Sequence, residues 1–172
     1  MEAEDQSDDR SFAEILIEQL PALRRYAVAL LRDPAAADDL VQDCIERALN
    51  QSAQLKERGK LASWLRSILH NLYIDQFRRE RSRGISVTIN DLDNDAALSL
   101  PPEDRSELGD VVRAVNGLSF EHRQILLLVG LEELSYREIA QELSIPIGTV
   151  MSRLSRARDL LRQSLDAGRV RH

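Results

Sequence analysis

Apolar residues recur at the spacing of a helix face along nearly the whole chain, with one long interruption. From Leu23 the stripe continues through Ala27 and Leu30, the i, i+4, i+7 spacing of a helix with one buried side. The period is lost over residues 84–107, where Asp, Asn, Ser and a Pro-Pro pair accumulate. No segment alternates for long enough to predict a strand. We therefore expect an all-α protein of two small helical domains joined by a flexible acidic linker.

This pattern divides the chain into four segments. Residues 1–9 are expected to form a disordered acidic tail, and residues 10–83 a first helical domain. Residues 84–107 are the predicted linker, and residues 108–172 the second helical domain.

Proline and capping residues place the first helix boundaries. Pro21 suits the first turn of the helix through Leu23, where a missing N–H costs nothing. Asp33 followed by Pro34 predicts the N-cap and first residue of the next helix. Cys44 falls on the apolar side of that second helix, where a thiol usually acts as a small hydrophobe.

The net charge of −6 conceals an uneven distribution of charge. Residues 1–20 and 84–112 each hold seven acidic residues and one basic residue. The rest of the chain has 21 basic and 15 acidic residues. A basic remainder favours a polyanionic partner, but charged runs are also common on ordinary solvated surfaces. Charge alone leaves both interpretations open.

Composition and motifs exclude several classes of protein. No apolar run approaches the roughly 20 residues of a membrane span, and no signal segment opens the chain. We therefore expect a cytoplasmic protein with no membrane insertion. A single cysteine excludes an internal disulfide and a cysteine metal cluster. No nucleophile elbow, Gly-rich phosphate loop or His-Glu-x-x-His motif is present, so neither catalysis, a cofactor nor a small-molecule substrate is expected.

The strongest local signal is a predicted helix-turn-helix near the C-terminus. Ser135 and Glu138 have the spacing of a capping box that starts a short helix. A turn at residues 144–146 leads to a second helix. At about 100° per residue, one side of that helix is apolar and is expected to pack inward, and it comprises Ile147, Val150, Leu154, Ala157 and Leu161. The opposite side carries Ser152, Ser155 and Arg156, which are suited to base edges in a major groove. An ordinary surface helix with a basic face is the alternative at this point.

Three motifs together resemble one family. Residues 134–140 (LSYREIA) and 148–158 (GTVMSRLSRAR) closely resemble the promoter-binding domain of bacterial sigma factors of the extracytoplasmic-function (ECF) type. Residues 37–43 (ADDLVQD) resemble the polymerase-binding motif of that family. Residues 62–71 (ASWLRSILHN), continuing to Asp75 and Arg78–Arg79, resemble its segment for −10 recognition and melting. The resemblance covers roughly residues 10–83 and 108–165.

The resemblance implies a sigma factor that binds core RNA polymerase and directs promoter-specific initiation, under the control of an anti-sigma factor. The first domain would bind the polymerase and the −10 element, and the second would bind the −35 element. The implied polymerase contacts are Asp38, Asp39, Leu40, Val41, Gln42 and Asp43. The implied −10 contacts are Lys56, Arg58, Lys60, Arg66, Ser67, His70, Asn71, Arg78 and Arg79. The implied −35 contacts are Arg137, Thr149, Met151, Ser152, Arg153, Ser155, Arg156 and Arg158.

Several of these assignments have alternatives. Met151 stands where the family usually has a lysine or arginine, so the preferred −35 sequence is left open. Arg153 and Arg158 are either phosphate contacts or flanking charges. Trp64 lies on an apolar stripe and is interpreted as a core residue rather than a stacking platform. A two-domain operator-binding regulator is the rival function, but it would need neither the 37–43 nor the 62–79 motif.

Overall fold

The computed structural model describes residues 11–82 and 107–169, and within these ranges all regular secondary structure is helical. The predicted tail at residues 1–9 and residues 84–106 of the predicted linker lie outside the described residues. The helices are α1 (Phe12–Leu31), α2 (Pro34–Asn50), α3 (Leu61–Ser82), α4 (Glu107–Asn116), α5 (Phe120–Gly130), α6 (Tyr136–Glu142) and α7 (Ile147–Arg169). Two short 3-10 turns, Ser52–Gln54 and Arg58–Lys60, lie between α2 and α3.

Helix α1 begins earlier than Pro21, so the boundary predicted from that proline is wrong. The Ser11 side chain accepts a hydrogen bond from the Glu14 amide at 3.3 Å, and Glu14 accepts one from the Ser11 amide at 2.8 Å. This capping box satisfies two backbone donors at the true start. Pro21 lies inside the helix on its exposed side. The buried stripe of the same helix, which begins at Ile15, holds its turns together.

Helix α2 begins as predicted. The Asp33 side chain accepts hydrogen bonds from the amides of Ala35 at 2.9 Å and Ala36 at 3.1 Å. Pro34 occupies the first helical position, where its fixed φ is already helical. The turn before it is made by Arg32, which adopts the left-handed conformation at φ 63°.

The helix-turn-helix is formed by α6 and α7. The Ser135–Glu138 capping box is present at the start of α6, and Ser144 makes the turn with a φ of 53°. Val150, Leu154 and Ala157 of α7 are buried as predicted. Ile147 is 48% exposed, contrary to the prediction, because at about 100° per residue it lies roughly 60° from Val150, at the edge of the apolar stripe.

The two predicted domains pack against one another, which the sequence did not indicate. Helix α1 contacts α5, and α3 contacts α6. One hydrophobic cluster includes Tyr26, Leu30 and Leu65 from the first half together with Ile125 and Leu128 from the second. The described residues therefore form one body with a shared core. We call residues 11–82 the N-half and residues 107–169 the C-half.

Candidate nucleic-acid and polymerase interface

Helix α2 presents an acidic face that is open to a partner. Asp38, Asp39, Gln42 and Asp43 are all exposed. Asp38 accepts two hydrogen bonds from Arg24, at 2.6 and 3.1 Å, and the bond from Arg24 holds the pKa of this carboxyl below its usual range. The two apolar residues between them in the sequence, Leu40 and Val41, do not share this exposure.

Leu40 and Val41, predicted as contacts of the same face, are instead buried. They join Cys44 in the core, because apolar side chains at this spacing turn toward α1 and α3. The thiol of Cys44 donates a hydrogen bond to the Leu65 carbonyl at 3.3 Å, and burial raises the pKa of the thiol to about 12. Cys44 is therefore protonated at neutral pH and acts as a packing residue.

A groove runs between the acidic face of α2 and the second half of α3. Its lining includes Asp39 and Asp43 from α2 and Asp75 and Arg79 from α3. Carboxylates that line an open groove suit basic groups of a protein partner, and such charges mainly set orientation and association rate.

Most of the basic residues predicted to follow the −10 strand are exposed. Lys60 bonds Glu57 at 2.8 Å across one turn, an exposed pair of little energetic weight. The exposed members of the set are Lys56, Arg58, Lys60, Asn71, Arg78 and Arg79. The basic members lie before the start of α3 and near its end, and Asn71 lies at its middle.

Arg66 is the exception, because the C-half covers it. Its side chain is 8% exposed. Nε and Nη2 donate to the two carboxylate oxygens of Glu142 at 2.9 and 3.0 Å, and Nη1 donates to Glu132 at 2.6 Å. The Glu142 side chain is only 2% exposed. Arg66 thus makes a bidentate pair and a second ion pair, both across the two halves.

The same contact extends to Ser63, one turn before Arg66, and to Ser67, the residue that follows Arg66. The Ser63 hydroxyl donates to the Glu142 carboxylate at 2.8 Å. Ser67 lies within hydrogen-bond distance of the Glu142 carbonyl, at 3.3 Å. Three donors of α3 therefore satisfy the polar atoms of this buried carboxylate, as a buried charge requires.

His70 lies at the next position on the same face of α3. Its Nδ1 is 2.8 Å from the Gln124 side-chain nitrogen, and its ring stacks on Phe120 with centroids 6.4 Å apart. Phe120 also stacks on Tyr73, with centroids 4.0 Å apart and planes 12° apart. Burial is the main cause that lowers the pKa of His70. We call this whole set the interdomain contact, and it comprises Ser63, Arg66, Ser67, His70 and Tyr73 of α3 with Phe120, Gln124, Glu132 and Glu142 of the C-half.

Two further buried arginines connect the halves in opposite directions. Arg123 of α5 donates to the Leu30 carbonyl of α1 at 2.7 Å and to the Leu118 carbonyl at 2.7 Å. Arg32 of the N-half donates to the Asn116 carbonyl of the C-half. Each guanidinium bonds a carbonyl near a helix end, where the carbonyl lacks a full set of intrahelical partners.

The recognition side of α7 is exposed, in contrast to α3. Ser152, Ser155, Arg156 and Arg158 all face solvent, and Met151 is 54% exposed. The Ser152 hydroxyl donates to the Thr149 carbonyl at 3.1 Å. Arg153 is half-buried and bonds Glu121 at 3.2 Å. Arg137 of α6 is exposed and Thr149 is half-buried.

Two family descriptions match the two halves. Sigma-70 region 2 matches residues 16–83, and Sigma-70 region 4 matches residues 108–161. The ECF sigma factor EcfG of Rhodopseudomonas palustris (strain TIE-1) is 30% identical over 155 residues, which cover 88% of this chain and 83% of that protein. The ECF sigma factor SigC of Mycobacterium tuberculosis (strain CDC 1551 / Oshkosh) is 32% identical over 140 residues, covering 78% and 72% respectively.

The chain belongs to the ECF family of RNA polymerase sigma factors. As a sigma factor, it binds core RNA polymerase and promoter DNA and directs promoter-specific initiation of transcription. It is an initiation factor, and the chemistry of RNA synthesis belongs to the polymerase. Within the described residues, no helix is both long and apolar enough to cross a membrane, and no cluster of metal-ligating side chains is found there.

A solved sigma factor has the same arrangement of halves. The sigma factor RpoE of Bartonella quintana, crystallised with the anti-sigma factor NepR, is 33% identical, and the match covers 90% of this chain and 96% of that one with a TM-score of 0.72. Neither half amounts to half of the 172 residues, so one half alone could not give that score. The two halves therefore lie in similar relative positions in both sigma factors.

Sequence reasoning missed the partners of Arg66 in this sigma factor. No role was predicted for Glu132, Glu142, Gln124 or Arg123. The sequence offers one signal, which is that Arg123 and Gln124 immediately precede the apolar run of α5. Both side chains are buried among apolar residues. Trp64 is partly buried and meets the Phe12 ring edge-on at 6.4 Å.

Proposed function

We propose that this sigma factor divides three tasks among three helices. The acidic face of α2 binds core RNA polymerase, α3 reads and melts the −10 element, and α7 reads the −35 element. The N-half belongs to a polymerase-binding and −10 domain (residues 10–83), and the C-half to a −35 domain (residues 108–172). The observation that carries the proposal is that the motif residues lie on three separate faces.

The α2 face supports a protein contact because its carboxylates are exposed while its apolar residues are not. Asp39 and Asp43 line the α2–α3 groove, and Gln42 lies between them on the exposed side. Paired with basic groups of a polymerase subunit, these carboxylates orient the encounter. Leu40 and Val41 support the contact by holding the helix in the core.

The α7 face supports base readout in a major groove. Arg156 can bond guanine bidentately, and Ser152 and Ser155 can donate to or accept from base edges. Met151 replaces the usual cation with an exposed thioether, which suits the methyl group of thymine. Arg137, Thr149, Arg153 and Arg158 flank this face as phosphate contacts.

The α3 helix and the loop before it support single-strand binding. Strand capture needs a basic track for the backbone and a pocket for an unstacked base. Lys56, Arg58, Lys60, Arg78 and Arg79 supply the track, and Asn71 is exposed beside it. Arg66, Ser67 and His70 would complete this surface once the C-half no longer covers them.

The same proposal includes regulation by an anti-sigma factor and a cytoplasmic location. The related Bartonella sigma factor is bound to an anti-sigma factor in an arrangement like this one, which supports a similar partner here. The partners required for the role, polymerase and promoter DNA, support a cytoplasmic location. The proposed role requires neither catalysis by this chain nor a cofactor.

Reconstituted transcription tests the proposal. Core polymerase with this chain is expected to yield promoter-specific run-off transcripts from genomic fragments of the source organism. Asp39→Lys/Asp43→Lys should lower core binding at least about tenfold, since like charges then face basic groups. The matched control, Glu133→Lys/Asp166→Lys, makes the same change of charge at exposed positions of the C-half. Absence of any promoter-specific transcript would favour the operator-binding regulator, and equal core binding by both variants would refute the α2 assignment.

A further inference from the structure

The adjacent residues Asp38 and Asp39 face different sides of α2. Successive residues of a helix are about 100° apart around its axis, whereas residues four apart, such as Asp39 and Asp43, differ by only about 40°. Asp39 and Asp43 accordingly line the α2–α3 groove, and Asp38 does not. Asp38 bonds α1 instead. The carboxylates of the motif at residues 37–43 are thus divided between the groove and the side of α2 next to α1.

Arg24 of α1 binds both oxygens of the Asp38 carboxylate. Its Nε donates to Oδ1 at 2.6 Å, and its Nη2 donates to Oδ2 at 3.1 Å. A bidentate pair of this kind fixes the geometry of both groups more firmly than a single hydrogen bond does. The bond from Arg24 is also the main cause that lowers the pKa of Asp38. The negative charge of Asp38 is therefore balanced by a cation of the same chain.

The pair is open to solvent, so that it matters for binding more than for folding. The side chains of Arg24 and Asp38 are 54% and 52% exposed, and exposed ion pairs contribute little to stability. On a face that binds a protein, however, such a pair cancels two charges that an approaching partner would otherwise meet. Charges at the edge of an interface mainly change the association rate and its dependence on salt.

The pair lies wholly within the N-half. We call the packed arrangement of the two halves the closed form, and the arrangement after they separate the open form. Helices α1 and α2 are joined by a short turn at Arg32 and Asp33 and pack on one another. Arg24 therefore reaches Asp38 in either form, and its effect on polymerase binding does not depend on the contact between the halves.

We propose that Arg24 is a positioning residue for the polymerase contact, which masks Asp38 and so confines the negative charge of this motif to the groove side of α2, at Asp39 and Asp43. Basic groups of the polymerase are then guided to the groove rather than to the side of α2 next to α1. This inference rests on the proposed role of the α2 face. Under it Asp38 is not a polymerase contact, in contrast to what the family resemblance implies.

The test compares two neighbouring arginines of α1. Arg24→Gln removes the partner of Asp38 and leaves a polar side chain. The matched control is Arg25→Gln, which makes the same change of charge at the next position, also exposed. Each full-length variant is mixed with core polymerase, and the association rate is measured at about 50 mM and about 500 mM salt, where exposed charges are weakly and strongly screened.

The two variants should differ at the lower salt concentration. In Arg24→Gln the Asp38 carboxylate is unpaired and attracts basic groups of the polymerase, so the association rate should rise about threefold, as expected for one exposed charge. The increase should largely disappear at the higher salt concentration. Arg25→Gln should change the rate by less than about 1.5-fold, because its substitution leaves Asp38 paired. Both melting temperatures should stay unchanged, because both arginines are exposed.

A further substitution assigns the increase to Asp38. The double variant Arg24→Gln/Asp38→Asn has no charge at either position, and a masked pair presents none in sum, so its association rate should return to that of the unsubstituted chain. An increase that persists in the double variant would mean that Arg24 acts without Asp38, and the proposed masking would be wrong.

The carboxyl group of Asp38 provides a readout that does not involve the polymerase. In Arg24→Gln its pKa should rise to the ordinary aspartate value of about 3.9, because the bond that lowers it is lost. In Arg25→Gln the pKa should stay low. Nuclear magnetic resonance of the side-chain carboxyl carbon over a series of pH values measures both.

Three results would overturn the role of Arg24. Equal acceleration by Arg24→Gln and Arg25→Gln would show a general effect of charge. An unchanged rate in Arg24→Gln, with the pKa of Asp38 raised, would show that the polymerase does not meet this carboxylate. An unchanged pKa would show that Arg24 does not hold it. If Asp39→Lys/Asp43→Lys still weakens core binding, each result leaves the proposed function standing, whereas the absence of promoter-specific transcription would reject that function itself.

Arg24→Lys separates the geometry of the pair from its charge. Lysine keeps the positive charge but cannot bond both oxygens of a carboxylate in the planar manner of a guanidinium. The association rate should therefore lie between those of the unsubstituted chain and Arg24→Gln. A rate equal to that of Arg24→Gln would support the bidentate pair as the masking element, and a rate equal to that of the unsubstituted chain would overturn the positioning role.

Discussion

The two DNA-reading helices of this sigma factor differ in how much of each is available to DNA. On α7, Ser155 and Arg156 face solvent, and Arg153 bonds Glu121 of its own half. On α3, Arg66 is buried against two carboxylates of the other half. The arginine of α7 is thus available to a ligand, whereas the arginine of α3 is already bound by carboxylates.

The difference shows that a basic residue in a DNA-binding motif is not necessarily free to bind DNA. Arg66 and Arg156 are both motif residues, but Arg66 is buried in ion pairs and Arg156 is exposed. Changes on α7 should therefore alter binding by the free chain directly. Changes on the covered face of α3 should alter function only where the halves have separated.

The largest effect is expected on the exposed side of this comparison. Arg156→Ala should weaken binding of the free chain to −35 duplex DNA by about 1–3 kcal/mol and relax preference at one base position. The melting temperature should stay unchanged, because Arg156 is exposed. Binding selection from a randomised duplex pool measures both the affinity and the preference.

Ser67→Ala is the matched change on the covered side. Ser67 is half-buried beside the Glu142 carbonyl and the Ser63 carbonyl. Free-chain binding to the same duplex should change less than about twofold, because Ser67 bonds only carbonyls inside the described chain and is independent of the exposed side of α7. Equal losses for the two variants, or an unchanged base preference in Arg156→Ala, would remove the distinction between the helices.

A smaller effect is expected from pH, through His70. Burial against Phe120 and Gln124 is the main cause that lowers its pKa in the closed form, with Arg153 nearby also lowering it and Glu121 opposing. The closed form therefore favours the neutral ring. Its advantage is complete above the ordinary value of about 6.5 and is lost as pH falls through the lowered pKa.

Lowering pH from about 7.5 to about 5.5, across the ordinary histidine pKa, should thus shift the chain modestly toward the open form. Energy transfer between labels in the two halves reports this shift. His70→Gln is the control, since an amide of similar reach does not titrate. A pH response of equal size in that variant would assign the effect to other groups, such as His122, whose pKa burial also lowers.

Local structure was largely predictable from the sequence, and the contact between the halves was not. The capping box at Ser135 and the cap at Asp33 depend on residues within one turn, so their spacing is visible in the chain. The start of α1 carries the same signal at Ser11 and Glu14, whereas the helix boundary predicted at Pro21 is wrong. A proline inside a helix is costly on its own, and tertiary packing outweighs that cost here.

The covered face of α3 could not be predicted for a different reason. Ser63, Arg66 and Ser67 form a polar stripe, which by itself is indistinguishable from a solvated or DNA-binding face. Their partners Glu132 and Glu142 are more than 60 residues away in sequence. Only the relative placement of the halves brings them together, and no local pattern encodes it. The buried positions of Leu40 and Val41, by contrast, follow from helical period alone.

Chemical labelling of arginines tests most directly whether the two surfaces differ in availability. Phenylglyoxal modifies accessible guanidinium groups, and mass spectrometry resolves the rate at each arginine. In the free chain we expect Arg156 to react quickly and Arg66 to be protected, and in complex with core polymerase without DNA we expect Arg66 to become reactive. Equal rates for Arg66 and Arg156 in the free chain would contradict the account.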